Sequence, residues 1–161
     1  MLPIYKAKVF ESRIEKGGRT RPLVVTVRDN EGHLKQFVVK LYSKSDVQEN
    51  KALGKEVLLI PLIEEFDLLT PSPALIRFDQ GFINTLPREL QTEVIEKGAY
   101  LNFGCEYLDG SLNFNETIPQ STLDELDNVD TIFAFDVLLR NLDRRLTKPN
   151  LLMQERSIYL I

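Results

Sequence analysis

One cysteine and one histidine in 161 residues leave little for redox or soft-metal chemistry. Cys105 has no partner for an internal disulfide, which fits a reducing cytoplasm. With Cys105 and His33 the whole supply of thiol and imidazole, a zinc site of the usual ligands is not expected. A basic excess is missing too. The formal net charge is −4, where direct nucleic-acid binders usually carry a positive surplus. No run of about 18 apolar residues occurs, so no membrane span is expected. The first residues lack the apolar stretch of a signal peptide. Repeats, low-complexity tracts and Pro/Gly-rich linkers are also absent, which points to one domain over residues 1–161. What is present is a 43% apolar and 27% charged composition, that of a soluble globular chain able to build a core.

The first quarter reads as β, with strands over Tyr5–Phe10, Leu23–Val27 and Gln36–Tyr42. A loop at residues 15–20 and a turn at Asp29-Asn30-Glu31-Gly32 join them, with Gly32 able to take positive φ. The spacing of Leu53, Val57, Ile60 and Ile63 predicts a helix from about Glu49 to Phe66, kinked or broken at Pro61. A strand over Ala74–Phe78 follows. A short helix over Pro87–Glu96 stops at Gly98, and another strand spans Tyr100–Tyr107. Ser121–Arg140 is the longest helical candidate, capped by Ser121 with Asp124 and Glu125 near its start. Strands at Leu151–Met153 and Ser157–Ile161 close the chain around Gln154-Glu155-Arg156. The order predicts an α+β fold with a largely antiparallel sheet.

Four features carry chemistry. Asp143, followed by Arg144, stands in a loop, with Asn150 seven positions on, just before an apolar run. A carboxylate that takes the proton of an attacking hydroxyl, with a carboxamide that holds a metal, suits phosphoryl transfer. Both residues are also ordinary turn formers. Lys40 lies in the third predicted strand among Val38, Val39 and Leu41, and by alternation shares a face with Val38 and Tyr42. It reads as a snorkelling edge lysine or as a phosphate lysine partnered by Glu56 on the next helix. Gly17, Gly18 and Thr20, before Arg21 and Pro22, form a loop whose N–H groups could approach a phosphate, or a plain hairpin connection. Cys105 reads as core and His33 as a surface residue. The adjacent pairs Glu64-Glu65 and Asp124-Glu125 do not converge on one point, so they read as solvated. Asp136 and Asn141 read as side chains that hold the loop.

The order glycine loop, strand lysine, helix glutamate and late Asp…Asn is that of kinases. Through Gly18–Leu23, Phe37–Lys40, Ala52–Glu56 running into Leu69–Ala74, Phe103–Leu108 and Phe135–Arg144, with Pro149–Leu152 after it, nearly the whole chain resembles the HipA-like kinase domain. The resemblance implies a protein-kinase-like fold: an antiparallel N-lobe sheet and hinge over residues 1–107, then the start of a helical C-lobe over 108–161. It implies ATP and Mg2+ as cofactors. Gly17, Gly18, Thr20 and Lys40 would meet the phosphates, Glu56 would hold Lys40, and Glu106, Tyr107 and Leu108 would take the adenine at the hinge. Asp143 would be the catalytic aspartate and Asn150 the magnesium ligand. One departure matters, because related kinases place that asparagine five residues after the aspartate, where this chain has Lys148. A two-residue insertion would keep Asn150 as ligand. The sequence also ends before the family's second metal-binding aspartate. The resemblance therefore implies a truncated C-lobe, apolar surface exposed on the Ser121–Arg140 helix and final strands, and little transfer without a partner that covers it. A pseudokinase or a nucleotide-binding module without turnover is the rival reading, and an α+β interaction domain without nucleotide is a third. The acceptor would be a protein or small-molecule hydroxyl.

Overall fold

The computed structural model describes residues 2–15, 21–29, 31–115, 117–141, 144–145 and 148–161. The chain divides into two compact units, one of residues 1–59 and 72–107, the other of 60–71 and 108–161.

The first unit is built on five strands. They are β1 (Ile4–Arg13), β2 (Leu23–Arg28), β3 (Leu34–Val39), β4 (Pro73–Arg77) and β5 (Leu101–Glu106). Their order is β1-β2-β3-β5-β4, and the sheet closes into a barrel because β4 returns to pair with β1. That closing pair, Ile4 to Lys6 against Leu75 to Arg77, is parallel, so the expected antiparallel sheet is corrected at one seam. Closure removes the free edges that an open meander would leave. β1 bends toward it through irregularities at Ala7/Val9 and Phe10/Ser12. Inside lie Ala7, Val25, Val27, Phe37, Val39, Ala74 and Ile76. Gly104 on β5 matters here: a Cβ would stand 3.0 Å from Ile76 Cγ1 and 3.3 Å from the Val38 carbonyl. A larger residue would press on its neighbours in β3 and β4, which glycine avoids.

Helices surround the barrel. Ser43 caps α1 (Lys44–Gln48): its Oγ accepts from Asp46 N–H at 3.1 Å, and Ser43 N–H donates to the Asp46 carboxylate. Lys51, at φ 53°, separates α1 from α2 (Ala52–Glu65). The helix expected from Glu49 is thus α2, which starts at Ala52, and α1 before it is a helix not expected from sequence. Pro61 does not break α2, although the Val57 carbonyl loses its usual donor. Asp79 caps α3 (Gln80–Ile83), accepting from Phe82 N–H at 3.0 Å, a turn not expected from sequence. The next helix, α4 (Arg88–Lys97), ends as expected at Gly98, left-handed at φ 62°. Phe82, Ile83, Leu86, Leu90 and Val94 join the barrel core.

A charged clamp ties β1 to α4. Arg13 donates through Nη1 and Nη2 to the two carboxylate oxygens of Glu93 at 2.8 and 3.0 Å, and Lys97 Nζ adds a third bond at 2.7 Å. Burial alone would raise the Glu93 carboxyl, but these bonds outweigh it and hold it below its usual range. A depressed folded value contributes stability that is full above the unfolded glutamate value of about 4.3 and is lost as pH falls through the folded value. Glu93→Gln should cost about 1–2 kcal/mol at pH 7, and that deficit should shrink as urea unfolding is repeated below about pH 4. A deficit independent of pH would assign it to packing.

The second unit holds a sheet of order β6-β7-β8, with β6 (Leu112–Asn113), β7 (Leu151–Gln154) and β8 (Ser157–Leu160) all antiparallel. The long helix expected at Ser121–Arg140 is a correction: it is α5 (Gln120–Leu123), capped at Pro119 rather than Ser121, and α6 (Val129–Leu139). Between them Asn128 takes φ 67°, a left-handed turn that asparagine tolerates and a helix does not. Phe66 and Phe135 meet edge-on at 5.2 Å, and Ile132, Leu151, Ile158 and Leu160 are buried. Phe133, Val137 and Leu138 on α6 are exposed. Among the described residues no helix is long and apolar enough to cross a membrane.

Candidate functional site

Strand geometry prepares the first group. β3 ends at Val39, so Lys40 follows the strand instead of lying in its middle, as the sequence suggested. Its N–H still reaches β5, donating to the Phe103 carbonyl at 3.1 Å. Beyond it Leu41 turns into the core and Ser43 opens α1, which ends the ladder. The alternation persists through this stretch. Leu41 is buried, while Lys40 and Tyr42 point together to Glu56, on the second turn of α2. Lys40 Nζ donates to Glu56 Oε1 at 2.8 Å, and Tyr42 Oη donates to the same oxygen. Lys40 remains 30% and Glu56 21% exposed, so the ammonium is held in place yet open to water. That is the state a polyphosphate-binding lysine needs.

Cys105 on β5 lies within electrostatic reach of both charges. Burial pushes its thiol up to about 11, with Lys40 opposing and Glu56 adding. It is half-buried rather than wholly core. Burial, then the Glu56 charge and hydrogen bond, push the Tyr42 phenol far above its ordinary range. Both groups therefore stay neutral beside the pair. Glu106 ends β5, and its N–H donates to the Ser72 carbonyl at 2.9 Å. Tyr107 N–H donates to Gln36 at 2.8 Å, and the Tyr107 ring is exposed. Gly17, Gly18 and Thr20 lie outside the described residues.

In the second unit, Asp143 also lies outside the described residues, but its neighbours hold a defined frame. Arg140 ends α6 left-handed at φ 51°. Asn141 Nδ2 donates to Asp136 Oδ1 at 2.9 Å, and Arg144 Nε pairs with Asp136 Oδ2. Arg144 Nη1 donates in turn to the carbonyls of Pro149 and Asn150, at 2.7 and 2.9 Å. Thus Asp136 ties Asn141 and Arg144 to α6 through side-chain bonds, where backbone hydrogen bonds were expected, with Arg144 as the link that sequence reading passed over. An arginine next to a loop aspartate with a carboxylate eight residues back was the available signal. Arg145 and Lys148 exchange backbone bonds, 3.1 Å from the Arg145 N–H and 2.9 Å from the Lys148 N–H. That pinch brings the segments on either side of residues 146–147 together. Asn150 follows after Pro149, at φ 50°, with its carbonyl also accepting from Ile161 N–H at 3.1 Å. Leu108, beyond β5, accepts from Ser111 through N–H and Oγ.

An ammonium held by a carboxylate and open to water is chemically suited to a phosphate group. Magnesium takes one or two protein oxygens and completes its shell with phosphates and water. The Asp136 carboxylate is already engaged by Arg144 and Asn141. Among the described residues one trio of acid and imidazole groups, Asp29, Glu31 and His33, comes together on the β2–β3 turn. There Asp29 accepts the turn's own N–H groups from Glu31 and His33, and His33 is exposed as expected.

Compared with known proteins, residues 9–161 match a family described as HipA-like kinase. No curated protein and no solved structure matches the chain significantly.

Proposed function

The chain belongs to the HipA-like kinase family, and from that premise we propose that it binds ATP with magnesium and transfers the γ-phosphate to a hydroxyl of a protein or small molecule. The observation that carries this reading is the 2.8 Å pair between Lys40, just past β3, and Glu56 on α2. We read the barrel unit as the N-lobe of a protein-kinase-like fold and the second unit as C-lobe. Lys40 and the N–H groups around Gly17, Gly18 and Thr20 hold the phosphates, and Glu56 keeps the lysine aimed. Glu106, Tyr107 and Leu108 take the adenine. Asp143 accepts the proton of the attacking hydroxyl and orients its oxygen. Asn150 is the magnesium ligand, an assignment supported by Arg144, whose Nη1 donates to the Pro149 and Asn150 carbonyls while its Nε pairs with Asp136. The bound ion supplies neutralisation of phosphate charge as the bond to the γ-phosphate breaks.

A second reading, nucleotide binding without turnover, is favoured by one observation. The Asp136 carboxylate is engaged by Arg144 and Asn141, so the proposed ligand, Asn150, would be a neutral one. A chain without a nucleotide site is separated from both by chemical unfolding. Mg-ATP at about 100 times its Kd should stabilise the fold by about 2.7 kcal/mol. The absence of stabilisation at millimolar Mg-ATP would refute both readings.

A further inference from the structure

The Glu56 oxygen that receives Lys40 has two donors, and the second is not a charge. Tyr42 stands two residues along the chain, on the same side, and gives its hydroxyl hydrogen to the same Oε1. The phenol is held protonated by burial first and by the Glu56 carboxylate next. It therefore remains a donor and never joins Glu56 as a second anion. Asp46 and Cys105 are the other titratable groups that act on it, and the Cys105 thiol is itself held neutral.

We propose that Tyr42 is a positioning residue for the nucleotide site, holding Glu56 Oε1 in place while the Lys40 ammonium turns to the phosphates. This rests on the reading that Lys40 meets a nucleotide. The physical reason lies in what Glu56 would otherwise lose. A carboxylate 21% exposed is short of water, and one whose sole donor leaves for another anion must go partly unsatisfied. With Tyr42 in place the oxygen keeps a hydrogen bond throughout, so Lys40 can share itself between Glu56 and a phosphate at smaller cost. The hydroxyl also fixes which way the carboxylate faces, and with it the direction of the lysine. Neither effect needs the tyrosine ring beyond its bulk.

Tyr42→Phe keeps the ring and deletes only the hydroxyl. It should raise the Kd for Mg-ATP about tenfold, the worth of one hydrogen bond to a charged acceptor. Its melting temperature should fall by no more than about 4 °C. Isothermal titration of the full chain reads the affinity. The same substitution made in Lys40→Met protein tells positioning from packing. With no lysine to aim, Tyr42→Phe should change the residual Kd by less than about twofold, because the two residues act as one unit. The proposal is overturned if Tyr42→Phe leaves the Kd unchanged in otherwise native protein. It is equally overturned if the loss is the same factor with and without Lys40, which would mark a structural role. If Tyr42→Phe unfolds at assay temperature, the titrations are repeated at a lower temperature at which it is folded and with Tyr42→Leu, which also has no donor there, and both must show the same dependence on Lys40. Failure of the native chain to bind Mg-ATP at all would be a different result, removing the nucleotide reading and this inference with it.

Discussion

Lys40→Met should weaken Mg-ATP binding by about 10- to 100-fold, the loss of one or two charge-assisted contacts, while the chain stays folded. The fold should survive because nothing structural depends on the ammonium. The backbone bond from Lys40 N–H to Phe103 is untouched by the substitution, and methionine retains an apolar stem of similar length. Glu56 would lose its ionic partner but keep the hydroxyl of Tyr42. The pair is partly exposed, 30% for Lys40, so solvent screens it and its own contribution to stability is small. Its consequence should therefore appear in ligand binding and not in the unfolding midpoint. Unchanged nucleotide affinity in Lys40→Met would return the residue to the role of a lysine that shields the end of a strand.

The second large effect concerns the loop after α6. Asp143→Asn should reduce γ-phosphate transfer by about 10²–10⁴-fold, the usual worth of a positioned general base, and should leave Mg-ATP affinity nearly intact. Asn150→Ala should raise the magnesium concentration needed for half-maximal transfer, whereas Lys148→Ala should not. The reason lies in the backbone. Arg145 and Lys148 pinch the chain together, and Arg144 reaches across to the Pro149 and Asn150 carbonyls while pairing with Asp136. The pinch uses only the backbone of Lys148, and Arg144 ties the Asn150 carbonyl to Asp136 on α6. Because Asp143 and Asn150 would serve one phosphate centre, the double variant should lose less than the product of the single losses. A magnesium defect in Lys148→Ala, with none in Asn150→Ala, would place the ligand five residues after the aspartate and remove the insertion.

Local pattern carried much of this structure, and long-range pairing carried the rest. Leu23 to Val27 and Gly98 are legible because alternation, β-branching and a left-handed stop act within a few residues. The pairing of Lys40 with Glu56 was legible for the same reason: a helix begins soon after the strand, and strand alternation names the face. That alternation also put Tyr42 beside Lys40, yet its hydroxyl was not assigned a partner, since a tyrosine at a strand end is usually read as packing. The barrel was not legible. Its closure is a parallel contact between Ile4–Lys6 and Leu75–Arg77, about seventy residues apart, and no local signal encodes such a partner. The break at Asn128 was missed because apolar residues continue through Leu126, Ile132 and Phe133. Hydrophobic content does not reveal one left-handed residue. Arg144 was missed because its ion pair with Asp136 reaches eight residues back across the end of α6, and its other partners are backbone carbonyls, which have no sequence signature.

The central claim is that the Lys40–Glu56 pair is a nucleotide-phosphate site. Its most direct measurement is a titration of isotopically labelled protein with ATP, followed by amide and side-chain NMR, first without and then with magnesium. The account predicts saturable shifts that are largest at Lys40, Tyr42, Glu56, Cys105 and Glu106 to Leu108, with Asn150 responding chiefly when magnesium is added. Saturable shifts confined to other surfaces, or none up to millimolar ATP, would contradict it.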